Sequence, residues 1–251
     1  MGGNVALSTD RILLATADAV TAFGKPSLQH LDIGSGHGDL ILLLRSKGLV
    51  AHSAACDYTP TLMVLPDISV AVANLNTEPL PFADASFDLV TCTEVIEHLE
   101  HYRETLREMY RVLKPHGRLV VTTPNILNLK SRIRFLIFGF YNLFGPLHTL
   151  ESNLHLSGGH INPVSCFYLS HSLIDAGFTD LRLTIDKRQS SSTFWLVLLY
   201  VPIKLFSRLI VRKEKRRFKT MDEHNEPYVA QINTADVLLG RTIVVGCVKP
   251  G

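Results

Sequence analysis

Acid and base nearly cancel along this chain: 25 Lys and Arg stand against 23 Asp and Glu, a net charge of +2. No overall field therefore draws it to nucleic acid. Cysteine is scarce. Cys56, Cys92, Cys166 and Cys247 are scattered with no C-x-x-C pair, which favours buried, reduced thiols over disulfides or zinc. No two histidines form an H-x-x-x-H pair, not even in the crowded stretch of His148, His155 and His160, so a metal site is unsupported and none is expected. The N-terminus lacks a basic segment ahead of an apolar one, and Ala6 stands where a myristoylation pattern wants Ser or Thr. Long apolar runs are missing too. "FWLVLLYVPI" is too short to span a bilayer, and Pro202, Lys204 and Arg208 break it further. These absences predict a cytoplasmic protein.

What is present is a globular composition, 46% hydrophobic over 251 residues, enough for one sizeable core and one domain over 1–251. Ser8 or Thr9 can cap a first helix reaching about Phe23, with Ile12, Leu13, Thr16 and Val20 on one face. "LQHLDI", "LVAHSAACD", "ISVAVAN", "FDLVTCT", "GRLVVTTPN", "TDLRLTI" and "GRTIVVGCVK" read as strands. Helices are predicted at "DLILLLRSKG", at "EVIEHLEHYRETLREMYRVLKP" and at "PVSCFYLSHSLIDAGF", the last with Leu169, Leu173, Ile174 and Phe178 at helical spacing. The link "YTPTLMVLPD" leaves room for a turn or two of helix. Apolar strands alternating with helices predict an α/β fold: a Rossmann-like, seven-stranded, mostly parallel sheet, helices on both faces, and a final antiparallel strand. Two stretches interrupt the alternation, 126–160 and 190–235. As insertions between sheet elements they belong where loops gather at one sheet edge.

The first predicted strand runs into "LDIGSGHGDL". Ligands of open α/β sheets bind beyond the carboxyl ends of the strands, near this first strand–helix turn. Gly34, Gly36 and Gly38 would let a ligand approach the main chain. A dinucleotide loop would carry a third glycine where this chain has Asp39, and the G-K-[ST] of a P-loop is absent. Asp57 closes the second strand about 20 residues past the last glycine, where a carboxylate can accept both hydroxyls of a ribose. A ligand with a ribose, a positive charge and no phosphate suits this acid-flanked turn. S-adenosylmethionine has those properties.

"LDIGSGHGDL", the "CD" at Asp57, "EPLPFADASFDLVTCTEVIEHL" and "RVLKPHGRLVVTTPN" together resemble the class I S-adenosylmethionine-dependent methyltransferases, in the branch holding quinone-pathway and cell-envelope enzymes. The resemblance covers residues 28–125. It implies S-adenosyl-L-methionine as cofactor and S-adenosyl-L-homocysteine as product. It places Gly34, Ser35, Gly36 and Gly38 beneath the methionine half, with Asp32 as the acid opening the turn. Asp57 matches the ribose acid and Tyr58 the flank of the adenine. Where the family usually has an aspartate for the adenine amino group, this chain offers Asn74 and Asn76 around Leu75, whose amide oxygens can still accept an N–H. Thr93 matches the position whose backbone faces the methionine amine.

Methyl transfer asks the protein mainly to align the acceptor and exclude water, with a base if a hydroxyl is the nucleophile. His98 stands close behind the fourth strand, either as that base or as a packing residue of the helix start. "GGHINP" puts His160 and Asn162 ahead of the next helix, as a cover for the site or as a loop cap. Glu94 and Glu97 read as helix-start acids rather than catalysts. Nucleic-acid acceptors are argued against: "TCTEV" stands in place of the Asn/Asp-Pro-Pro-aromatic run of amino-methylases, and no cysteine follows a proline.

Segment 126–160 then reads as an acceptor lid. Segment 190–235 reads as an apolar stretch running into Arg212, Lys213, Lys215, Arg216, Arg217 and Lys219, the pattern of an interfacial helix at an anionic membrane surface. A buried lid or dimer interface with a solvated basic tail is the alternative. The resulting expectation is a methyltransferase at the cytoplasmic membrane face. Its expected acceptor is a lipid-linked sugar or other amphiphile first, and a quinone-type or soluble small molecule second. A non-catalytic scaffold of the same fold is the rival from another class.

Overall fold

The computed structural model describes residues 9–24, 26–147 and 159–251. The Ser8 cap, the reading of Ala6, and His148 and His155 lie outside the described residues.

The first helix, α1 (Asp10–Thr21), is followed by β1 (Ser27–Ile33), α2 (Asp39–Ser46), β2 (Val50–Asp57), β3 (Val70–Val72) and β4 (Phe87–Thr93). Then come α3 (Tyr102–Val112), β5 (Leu113–Pro124), α4 (Leu129–Phe138), α5 (Cys166–Asp175) and β6 (Thr179–Ile185). The chain ends with α6 (Thr193–Lys213), α7 (Glu226–Gln231), α8 (Ala235–Leu239) and β7 (Thr242–Val248). The seven strands make one sheet in the order β3-β2-β1-β4-β5-β7-β6. β1 to β5 pair in parallel, and β7 runs antiparallel to both neighbours. This is the Rossmann-like architecture read from the sequence.

Both faces of the sheet are covered, which explains the unbroken apolar strands. On one face Leu31, Ile33, Val90, Val121 and Val245 pack with Leu106 and Met109 of α3 and Leu169 and Leu173 of α5. On the other, Ala17 and Val20 of α1 meet Leu40 and Leu44 of α2 over Leu89, Val120 and Val244. All four cysteines are buried and free.

Several local expectations need correction. The "EVIEHLEH…" stretch is not one helix: residues 96–98 form a 3₁₀ turn, and α3 begins only at Tyr102. β5 starts at Leu113, four residues before Gly117, because Leu113 pairs with Phe87 across an irregular step. The link after Asp57 holds turns and no helix, with Met63 and Leu65 folded over Gly38. At the α1 start, Thr9 makes no side-chain cap bond. In α5, Ile174 is exposed while Leu169, Leu173 and Phe178 are buried.

The apolar stretch around Pro202 is also unbroken, contrary to the sequence reading: α6 runs through the proline for 21 residues. Proline removes one donor and crowds the carbonyl four residues back, but the i→i−4 bonds on either side suffice to carry the helix on. Together with its flanking turns, Ser190–Phe218 is long and apolar enough to cross a bilayer.

Candidate functional site

The glycine turn leaves the carboxyl end of β1, and the end of β2 fixes it. Gly34 N–H donates to the Cys56 carbonyl at 2.8 Å, and Gly36 N–H donates to Asp57 Oδ2 at 2.9 Å. The other oxygen of Asp57 accepts from Thr59 N–H at 3.4 Å. Gly34 and Gly38 have φ of +69° and +86°, backbone that only glycine enters readily. A Cβ at Gly34 would also overlap Val95 Cγ2. That contact, between the turn and the segment after β4, was invisible in the spacing alone.

A small cavity opens at this turn, lined by Asp32, Gly34, Ser35, Gly36 and Thr93 from the sequence-predicted set. Leu13, His37, Asp39 and Leu40 complete it. The first of these lies on α1, and nothing in the sequence placed that helix over the turn. Ser35 Oγ and Thr93 Oγ1 are buried and have no hydrogen-bond partner among the described residues. A dry, unpaired hydroxyl costs about 1–3 kcal/mol, and both belong to residues lining this cavity. A polar ligand seated there would satisfy them, so the residues fit a cofactor with polar groups at this end.

Asp32 is buried beneath the turn, and Thr91 Oγ1 donates to its Oδ1 at 2.6 Å. Burial lifts its pKa to about 7; the Thr91 bond opposes the rise and the Asp57 charge adds to it. Next to it, His30 Nε2 lies 2.8 Å from Thr91 Oγ1. Burial pushes His30 down to about 3, so a neutral histidine backs the acid.

The adenine-side residues are placed differently. Ala73 N–H donates to the Asp57 carbonyl at 3.1 Å, which brings Asn74 to the strand ends near Asp57. Yet Asn74 Oδ1 accepts from Asn76 N–H at 3.1 Å, and Asn76 Oδ1 from Glu100 N–H at 2.8 Å. Both amide oxygens already shape a turn, leaving each one further lone pair. Leu75 and Asn76 border a second hollow with Thr77, Pro79 and His101. Tyr58 is half-exposed beside Asp57.

Behind β4 the structure joins the two histidines singled out in the sequence. The His98 and His160 rings meet edge to face, with centroids 4.7 Å apart. The loop carrying His160 is clamped to the 3₁₀ turn: Ile161 and Asn162 N–H donate to the Glu97 carbonyl at 2.9 and 3.0 Å. Asn162 Nδ2 also donates to the Leu99 carbonyl. His98 Nδ1 lies 3.0 Å from the Gly159 carbonyl. A carbonyl only accepts, so Nδ1 carries a proton, and the ring's other nitrogen is the one that can exchange a proton with a substrate. His160 is held down to about 4 by burial and by His98.

Glu97 stands in the first turn of the 3₁₀ segment, as a helix-start acid would, and Glu94 lies two residues ahead of that segment. Glu97 is buried within this cluster, and desolvation lifts it well above the usual carboxylate range; partly buried Glu94 lies apart from it, bonded to Thr122, and desolvation lifts it to about 7. Thr123 Oγ1 donates to Glu97 Oε2 at 3.2 Å, while Glu97 Oε1 has no partner among the described residues. One donor atom each from Glu97, His98 and His160 lie within 4.8 Å of one another. The missing H-x-x-x-H spacing gave no hint of this cluster, because its members come from two loops.

Residues 31–121 match the methyltransferase domain family. The chain is 33% identical over 107 residues to a demethylmenaquinone methyltransferase of Thermus thermophilus, covering 40% of this chain and 49% of that protein. It is 34% identical over 155 residues to a probable S-adenosylmethionine-dependent methyltransferase of Mycobacterium tuberculosis, covering 60% and 47%. The chain thus spans about half the length of these curated relatives. A solved structure, a SAM-dependent methyltransferase of Archaeoglobus fulgidus, superposes with a TM-score of 0.56 at 18% identity, covering 95% of this chain and 94% of the other. That likeness is one of fold.

Proposed function

We propose, for a chain that belongs to the class I S-adenosylmethionine-dependent methyltransferases and is related to their quinone-pathway members, that it methylates a small-molecule acceptor. The observation carrying this is the β1 turn, where positive-φ glycines, the buried Asp57 carboxylate and the unpaired Ser35 and Thr93 hydroxyls converge. When bound, the cofactor supplies a methyl group already activated on a sulfonium. Asp32, Gly34, Ser35, Gly36, Gly38 and Thr93 would hold its methionine end, and Asp57 with Tyr58 its ribose and adenine. Asn74, Leu75 and Asn76 would border the base, with less free acceptor capacity than an aspartate would give.

The remaining work falls to the histidine cluster. The acceptor's proton needs a taker. His98 Nε2, held in tautomer by the Gly159 carbonyl, is the base, and neutral His160 packs against it and positions the ring.

A quinone-type ring hydroxyl or its neighbouring carbon is the favoured acceptor class, since several of the similar proteins carry demethylmenaquinone in their names. This reverses the order drawn from the sequence, which put a lipid-linked sugar first. The latter stays as the second reading, supported by the exposed apolar residues of α4 and α6. The test is transfer of labelled methyl from the cofactor to a demethylated quinone and to a fractionated lysate. Label in the quinone is expected. Label confined to lipid-linked glycan would favour the second reading, and none in any fraction from folded protein would overturn the first.

A further inference from the structure

Helix α6 presents an apolar face that the described residues leave uncovered. Phe194, Val197, Val201, Leu205 and Leu209 follow one another at helical spacing, and Val197 and Val201 are 78% and 70% exposed. The opposite seam, with Leu196, Leu199, Ile203 and Ser207, is partly buried. The end of α4 is equally bare, with Leu136 and Ile137 84% and 79% exposed. The two helices are tied to one side of the molecule through Asn233, which accepts from Arg132 of α4 at 2.8 Å and donates to Ser207 of α6 at 2.7 Å. Contiguous exposed apolar surface on this scale marks an interaction site.

We infer that this face lies in an anionic lipid surface, with α6 parallel to the membrane plane and the cofactor turn facing the same interface. Charge selects the lipid. The apolar helix runs into Arg212, Lys213, Lys215, Arg216, Arg217 and Lys219, of which Lys215 pairs with Glu226 at 2.6 Å. In a two-fold dimer pairing α6 on α6, these cations would meet either each other, with Glu214 the one acid among them, or the partner's apolar helix start. An anionic headgroup layer beside an acyl interior satisfies both parts of the helix.

Topology then fixes the orientation. By length α6 could cross a bilayer. But it sits between β6 and β7, adjacent strands of one sheet, so a crossing would require a return crossing. The return, "KTMDEHNEPYVAQINT", is polar and cannot make one. α8 also packs on α6, keeping the helix along the body. β6 runs parallel to β5, so α4 and α6 both leave the sheet at its carboxyl edge, the edge of the glycine turn. An acceptor dissolved in lipid would therefore reach the site without crossing water. The surface contact itself goes beyond the transfer reading and does not depend on it.

The chain's single tryptophan, Trp195, lies on this helix, and it reports the contact directly. The full-length protein is mixed with vesicles of phosphatidylcholine alone or with 30% phosphatidylglycerol, then floated, and Trp195 quenching is read with lipids brominated at graded depths. The expected result is at least tenfold stronger flotation on the anionic vesicles, lost at 0.5 M salt, with quenching strongest for bromines near the headgroups. Val201→Glu with Leu205→Glu should abolish flotation while leaving melting temperature and S-adenosylhomocysteine binding unchanged. A second variant, Arg216→Glu with Arg217→Glu, should lower it several-fold. Absence of flotation, or a soluble dimer that Val201→Glu dissociates, would overturn the inference. Quenching strongest at the bilayer centre would overturn the in-plane orientation. Protein that binds S-adenosylhomocysteine but does not float fails this inference alone.

Discussion

Asp32 illustrates how one buried carboxyl sets opposing demands on stability and binding. Its folded pKa is raised to about 7 by burial, against about 4 in an unfolded chain. Between those values the folded state holds a proton that the unfolded state has lost, so this group's stabilisation falls as pH rises through the window. Glu94, also near 7, acts in the same sense, while His30 and His160, held near 3 and 4, act oppositely below about pH 6.5. Comparison with Asp32→Asn isolates the one group. The variant should melt several degrees above the parent at pH 8, with the difference gone near pH 4, as read by thermal unfolding. A cationic ligand prefers the ionised acid. Cofactor affinity should therefore fall up to tenfold per pH unit below about 7 in the parent, and stay weak and flat in the variant. Gly34→Ala should destabilise by about 2–4 kcal/mol, combining the left-handed backbone with overlap on Val95. Adding Val95→Ala should recover only the overlap part. The glycines and Asp57 were legible in the sequence because a turn against a ligand leaves a compositional trace. The full burial of Glu97 left none.

At the scale of elements, the strands and most helices were legible because each buries a face with a fixed period. What the period could not reveal was the 3₁₀ turn at 96–98 and its clamp by the His160 loop, which rest on backbone bonds between segments about 60 residues apart. If His98 is the base and His160 its positioning partner, His98→Gln should lower kcat by about 10²–10⁴ with cofactor Kd unchanged. His160→Ala should lower kcat less and shift the pH–rate profile, since it removes the ring packed against His98. Equal, pH-independent losses in both would point to a purely structural pair. The end of β5 depends on another long-range element. Asn125 Nδ2 donates to the Val237 and Gly240 carbonyls at 2.7 and 2.9 Å, and its Oδ1 accepts from Leu127 N–H. Asn125→Ala should cost about 2–4 kcal/mol in chemical denaturation, because three partners, two of them buried, lose their bonds at once. In α6, the sequence correctly showed the apolar run and its basic end but misjudged Pro202. The inferred in-plane setting of the run rests on strand order, which no local reading supplies.

At the scale of the whole molecule, the sheet order brings three things to one carboxyl edge: the glycine turn after β1, the histidine cluster after β4, and the exposed helices after β5 and β6. The glycine turn, His98 and His160 were each read from the sequence, but the meeting of the two histidines was not, because it joins segments about 60 residues apart. The central claim is that the β1 turn holds S-adenosylmethionine for transfer. Calorimetric titration of S-adenosylhomocysteine into the full chain and into Asp57→Asn tests it most directly. The amide keeps an acceptor for the Gly36 N–H and loses only the weaker bond from Thr59 N–H, while the charge proposed to face the ribose is removed. The account predicts micromolar binding to the parent and at least tenfold weaker binding to a variant that still folds with a cooperative melt. No heat of binding at millimolar ligand, from protein shown to be folded, would contradict it.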